Sequence, residues 1–280
     1  MKYASLLFLA ILPFFANSQN LHADLFAGVA NYQGDLQGKR FTFSQSHPAL
    51  GLGASYDISS KFIGRIGFTY ATVEGNDKKN SLAKGVEFRN LNFKSRISEL
   101  QLGLEYNIFD LNERSFTPYL FAGVAGYHFN PYTTDSAGNK VFLKPLSTEG
   151  QGLAAYPDRK EYKLTQFAIP FGAGLKLALS DNLQVGLELG LRKLFTDYLD
   201  DVSTSYVDST VLANAKGALA AQLAYRGDEV GGPSYPAAGT QRGSTKKDWY
   251  YFTSFRISYR LGGNKGGSGS RKVGCPRNVY

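Results

Sequence analysis

The sequence is poor in the residues on which most site chemistry rests. In 280 residues there are one cysteine, one methionine, one tryptophan and three histidines. His22, His47 and His128 are scattered without metal-ligand spacing, so no zinc site is predicted. Neither a glycine-rich phosphate loop nor a serine-centred nucleophile elbow occurs. Gly172-Ala173-Gly174 falls inside an alternating segment, where glycine makes room for a bulky neighbour. The sequence points to no cofactor. The formal charge is +8, yet the basic residues are dispersed and form no compact cluster interleaved with stacking aromatics. Nucleic acid is therefore excluded as a partner, and the excess charge points to acidic lipid or to a protein surface.

Long apolar runs are also missing. Mean hydropathy is −0.24, and the apolar stretch Leu6–Phe15 is too short to span a bilayer as a helix. With Met1-Lys2 before it and Ala16-Asn17-Ser18 after it, this stretch reads as a secretory signal peptide over residues 1–18. No cysteine stands at the expected cleavage site, so lipoprotein anchoring is not predicted. The single Cys275 of an exported chain leaves two readings, a mixed disulfide with a partner or an unpaired thiol.

What is abundant is tyrosine (18), phenylalanine (20) and glycine (31), a composition that favours strands. Residues 98–109, SELQLGLEYNIF, alternate strictly, as a strand does when its two faces meet different surroundings. The pattern recurs from Leu21, Leu50, Phe62, Thr117, Phe167, Leu183 and Trp249, although both rows of 117–127 are largely apolar. About eight strands of roughly ten residues match the span of a tilted transmembrane strand. The joins at 57–61, 110–115 and 180–182 are short, whereas those at 33–48, 73–93, 128–164 and 195–248 are long. The predicted fold is all-β: an eight-stranded antiparallel transmembrane (outer-membrane) β-barrel, with long loops at one end and short turns at the other. A soluble lipocalin-like barrel would invert the facing. The large apolar rows and the small or charged opposite rows favour lipid outside.

Residues 19–261 would form the barrel. Its narrow lumen would enclose Arg65, Glu99, Glu105, Lys176, Glu188, Arg192 and Arg256, which must pair because a lone buried charge is costly. Tyr70, Tyr106, Phe109, Trp249, Tyr251 and Tyr259 are expected near the two water–lipid boundaries. Residues 211–225 read as a short helix with Gly227 as its C-terminal stop. The acidic loop 197–208, with Asp197, Asp200 and Asp201, is either a weak calcium candidate or a solvated, partner-facing loop. His47 with Ser44 or Ser46, and His128 with Asp135, are the pairs a lipid-modifying enzyme would need. Residues 262–280 are Gly/Ser-rich and basic and read as a flexible tether. In it Arg271, Lys272, Cys275 and Arg277 are the candidate partner contacts.

Several stretches carry a family likeness: Tyr32-Gln-Gly-Asp-Leu36, residues 106–110 (YNIFD), Thr117–Gly123, Thr148-Glu-Gly-Gln-Gly152, Ala168–Gly172 and, most specifically, residues 192–203 (RKLFTDYLDDVS). Together they make the chain resemble the small outer-membrane barrels of Bacteroidetes-type bacteria that include PorG of the type IX secretion system. The resemblance implies a barrel docked on a periplasmic ring made of a lipoprotein and its partner protein (PorK and PorN). It implies support for protein export and, in some species, for gliding, and it carries no catalytic residue. On this reading the protein is a non-enzymatic anchor and assembly subunit, integral to the outer membrane, with both termini periplasmic. A stand-alone structural or adhesive surface barrel is the alternative, and a lipid-modifying enzyme is the third reading.

Overall fold

The computed structural model describes residues 20–79 and 88–262. The leader and the contacts expected of Arg271, Lys272, Cys275 and Arg277 lie outside the described residues. Among the described residues ten strands form: β1 (Leu21–Gln33), β2 (His47–Asp57), β3 (Phe62–Asn76), β4 (Asn92–Asn107), β5 (Phe116–His128), β6 (Pro131–Thr134), β7 (Lys140–Phe142), β8 (Thr165–Ala178), β9 (Leu183–Leu194) and β10 (Trp249–Arg260). Eight of them run β3-β2-β1-β10-β9-β8-β5-β4, and β3 pairs with β4 to close the ring. Closure satisfies every strand edge internally, which lipid requires. The remaining two form a small hairpin in the loop after β5, with β6 pairing to β4 at Ser95 and Lys94.

The leucine row of β4 points outward. Leu102 is 60% exposed, while Glu99 and Glu105 are fully buried. Leu50, Leu52, Ile66, Phe68, Leu100, Leu175, Leu187 and Ile257 extend the exposed apolar surface around the barrel. A continuous belt of this kind is the face of a membrane-spanning barrel, since water-soluble monomers expose only small apolar patches. Tyr56, Phe62, Tyr106, Phe116 and Tyr259 stand outward at the short-turn end, with Phe62 and Tyr106 in ring contact at 5.0 Å.

Three sequence expectations are corrected. The barrel strands are 11 to 16 residues long rather than about ten, because the wall continues past the apolar belt. The β3–β4 seam shows how. Outward pairs run Ile66–Leu102, Phe68–Leu100 and Tyr70–Ser98, then turn polar at Thr72–Arg96 and Glu74–Lys94. At the same level the inward row becomes apolar, with Ala71, Val73, Phe93 and Ile97 buried. Alternation persists, but the greasy row changes sides where the wall leaves lipid.

The second correction concerns the helix. Residues 209–224 form two short helices, α1 (Ser209–Lys216) and α2 (Ala218–Ala224), broken at Gly217 with φ +91°. Only glycine adopts that backbone readily. Asp208 caps α1 by accepting from the Thr210 and Val211 amides, and Gly227 opens a separate turn. The third concerns Tyr251, which is buried rather than at the lipid boundary. Phe41 covers it at 5.4 Å, and its hydroxyl accepts from the Thr42 amide.

Candidate functional site

Two regions hold the buried polar groups: the lumen of the belt and the cap above it. In the lumen four cations meet four carboxylates. Arg65 donates two hydrogen bonds to Glu188 at 2.7 and 3.1 Å and lies 3.6 Å from Glu105. Glu105 also accepts from Lys176 and, at 2.8 Å, from Arg256. Arg256 reaches Asp24 at 2.8 Å. Arg192 donates to Glu99 at 3.0–3.3 Å and to Gln101 at 3.3 Å. The structure thus brings all seven lumen residues named from the sequence into a ladder of two ion-paired groups, Arg192 with Glu99 and Arg65, Glu105, Lys176, Glu188 and Arg256 together, placed by β3, β4, β8, β9 and β10.

Sequence reading missed the rest of the ladder. Asp24 supplies the fourth carboxylate. Tyr119 donates to Glu188 at 3.0 Å and Tyr250 to Glu99 at 2.5 Å. Phe121 lies 4.4 Å from the Arg65 guanidinium, and Phe252 lies 4.2 Å from that of Arg192. Both rows of β5 are apolar, so its facing was unreadable. The inward choice of Tyr119 and Phe121 follows from these polar and cation–π contacts. Glycines leave room for such side chains, a Cβ on Gly174 coming within 2.4 Å of the Tyr119 ring, while at Gly123 the close neighbour is backbone. A Cβ on Gly123 would come within 2.2 Å of the Leu102 carbonyl and 2.7 Å of the Gly103 Cα.

Above the ladder Tyr32, Leu36, Phe93, Ile97, Tyr127, Phe129, Leu199 and Tyr250 form an apolar core that fills the loop end of the barrel. The long loops fold onto it. Glu149 accepts from the Ser203 and Thr204 amides at 2.9 and 3.0 Å and from Arg242 at 3.0 Å. Asp201 accepts from Tyr162 at 2.7 Å and from Thr148 at 2.5 Å, while Arg242 donates to its carbonyl at 2.7 Å. The stretches 148–152 and 192–203 are therefore two halves of one buried joint. This corrects the expectation of a solvated acidic loop: Asp197, Asp200 and Asp201 are buried.

Burial raises the pKa of these loop carboxyls. Asp197 and Asp201 are each pushed up to about 6 by desolvation. Desolvation, with Asp35 nearby, raises Asp200, and desolvation, with Asp200 and Asp197 nearby, raises Asp248. Tyr32 donates to Asp200 and lies 3.4 Å from Asp248. Among the described residues no group of three or more His, Cys, Asp or Glu is arranged to hold a metal ion.

The histidines are engaged elsewhere. His47 bonds Glu74 at 2.7 Å rather than Ser44 or Ser46. His128 bonds Thr165 at 2.9 Å, while Asp135 is taken up by its own turn. His22 joins Asp57 at 3.0 Å at the short-turn end of the lumen.

Comparison with known proteins adds the following. The chain is similar to neisserial surface protein A (10% identity, 86% of this chain and 97% of that one, TM-score 0.43). It is similar also to OprG of Pseudomonas aeruginosa (13%, 86% and 97%, TM-score 0.42) and to Ail of Yersinia pestis (9%, 86% and 99%, TM-score 0.38). No curated protein matches the sequence. Residues 1–141 match the model of a family described as a domain of unknown function, DUF6089, and with half of its length matched the chain belongs to that family.

Proposed function

We propose that the protein is a sealed, non-enzymatic barrel of the outer membrane that anchors a protein assembly, as a subunit of a type IX secretion (and gliding) machinery. The observation that carries the reading is the filled interior. The charge ladder occupies the belt and the apolar core occupies the loop end. A cavity of about 10 Å³ beside Leu36, Asp200 and Arg242 has room for one water at most. With its interior filled in this way, the barrel works by its surfaces.

On this reading the short-turn end, where β1 begins and β10 finishes, faces the periplasm. The tail with Arg271, Lys272, Cys275 and Arg277 then reaches a ring of a lipoprotein and its partner protein, PorK- and PorN-like. Basic charge on a tether speeds encounter with an acidic surface. The test is crosslinking in intact cells, purification of the barrel, and mass spectrometry of whatever is joined to residues 262–280. Recovery of a periplasmic ring supports the proposal. A lone barrel supports the second reading, a stand-alone surface or adhesive barrel, which the closely joined cap favours. Cys275→Ala should remove a higher-mass band from non-reducing gels, and an unchanged pattern disposes of the disulfide.

A further inference from the structure

The outward row of β9 is Leu183, Val185, Leu187, Leu189 and Leu191, and it ends in Lys193. Lys193 stands opposite Ile169 on β8 and Trp249 on β10. Phe171 packs edge-on against Trp249 at 6.1 Å. The apolar surface does not stop at this lysine. One step further toward the loops, Phe167 is 75% exposed and Phe195 is 56% exposed. Lys193 therefore stands within the greasy row rather than beyond its end.

The other outward cations near this level differ. Lys94 lies 3.3 Å from Glu74. Arg96 faces Thr72, in the stretch where the β3–β4 seam has already turned polar. Lys193 is exposed, and among the described residues it forms no salt bridge.

A cation facing acyl chains must either extend to water or find a counter-charge. Phe167 and Phe195 are the next outward residues toward the loops, so the wall on that side of Lys193 is apolar. The remaining source of negative charge at the depth of an interfacial tryptophan is the lipid headgroup. An ammonium offers three donors and binds phosphate as a compact point charge. We propose that Lys193, flanked by Ile169 and Trp249 and followed toward the loops by the exposed Phe167 and Phe195, binds the phosphate of an anionic lipid, whose chains lie along Leu191, Leu189 and Phe171. The inference rests on the membrane-embedded reading of the barrel.

Trp249 is the only tryptophan in the chain and is a cross-strand neighbour of the site, so its emission reports occupancy. The full chain in detergent is titrated with lipid A, with the same lipid stripped of its phosphates, and with inorganic phosphate. Saturable change with lipid A alone is expected. Lys193→Gln should weaken that binding about fivefold, Lys193→Arg should restore it, and Arg96→Gln, with the same loss of charge, should leave it unchanged. Equal binding of the dephosphorylated lipid, or equal losses in Lys193→Gln and Arg96→Gln, would overturn the site. Equal binding of inorganic phosphate would assign it to a free anion instead, which also overturns it. A chain that stays monodisperse without detergent would overturn the membrane reading itself, an outcome distinct from all of these.

Discussion

Glu105 is the point in the lumen where removing one charge does most. Its carboxylate is fully buried and meets Lys176, Arg256 at 2.8 Å and Arg65 at 3.6 Å. At an effective dielectric of about 20, pairs at the two measured distances attract by roughly 5–6 kcal/mol each, before desolvation is subtracted. Glu105→Gln keeps the shape and removes the charge. Arg256 retains Asp24 and Arg65 retains Glu188, but Lys176 has no other carboxylate within ion-pair distance among the described residues. Breaking a buried pair by deleting one partner costs about 3–5 kcal/mol. For a domain of this size that corresponds to a fall in melting temperature on the order of 10 °C. Urea titration in detergent micelles, followed by the gel-mobility difference between folded and unfolded barrel, reads it directly. The companion variant Glu105→Gln/Lys176→Met removes both charges and should recover most of the loss. A single variant within about 0.5 kcal/mol of the parent, or a double variant less stable than the single, would refute the ladder as a stabilising, water-excluded network.

Further expectations follow from the same geometry. Leu102→Arg, in the middle of the belt, should destabilise the bilayer-inserted barrel by about 2–4 kcal/mol, and Ser98→Arg, where the seam turns polar, by about 0–1 kcal/mol; equal costs would misplace the belt. Gly123→Ala should lower stability because the new methyl meets the Leu102 carbonyl at 2.2 Å, and unchanged unfolding would show that the wall can relax there. The raised carboxyls of the cap bind protons in the folded state that the unfolded chain releases. Their contribution is full below the ordinary aspartate range and is lost as pH rises through about 6. Proteolytic cleavage within 195–248 should therefore be faster at pH 8 than at pH 5, and Asp200→Asn should reduce the difference; cleavage independent of pH would contradict it. In planar bilayers the parent protein should show no steady conductance, and stable channels would contradict the filled lumen.

The family stretches show how legible the site was. Residues 148–152 and 192–203 stand out as sequence, yet nothing in either says that Glu149 accepts the amides of Ser203 and Thr204. The two stretches flank the β8–β9 hairpin, whose antiparallel pairing brings their loops to one rim, but which groups then meet depends on how those long loops fold over it. The acidic loop misled for a related reason. Clustered aspartates ordinarily indicate solvent, and their burial depends on Tyr32, Tyr162 and Arg242 arriving from other parts of the chain.

The sequence by itself determined the eight barrel strands, though neither their full length nor the β6–β7 hairpin, together with the order of short and long joins and the two side-chain rows of each strand, because a period of two is a local property of the backbone. It also indicated seven of the eight lumen charges, since Arg65, Glu99, Glu105, Lys176, Glu188, Arg192 and Arg256 all fall on rows opposite the leucines, whereas Asp24 was found only in the structure. The tertiary structure decided who pairs with whom, because partners on different strands meet only through register and closure. It also decided where the apolar row crosses from outside to inside, near Tyr70 and Ser98. That crossing depends on which surroundings each level of the wall meets: lipid outside the belt, and the barrel's own loops inside the cap.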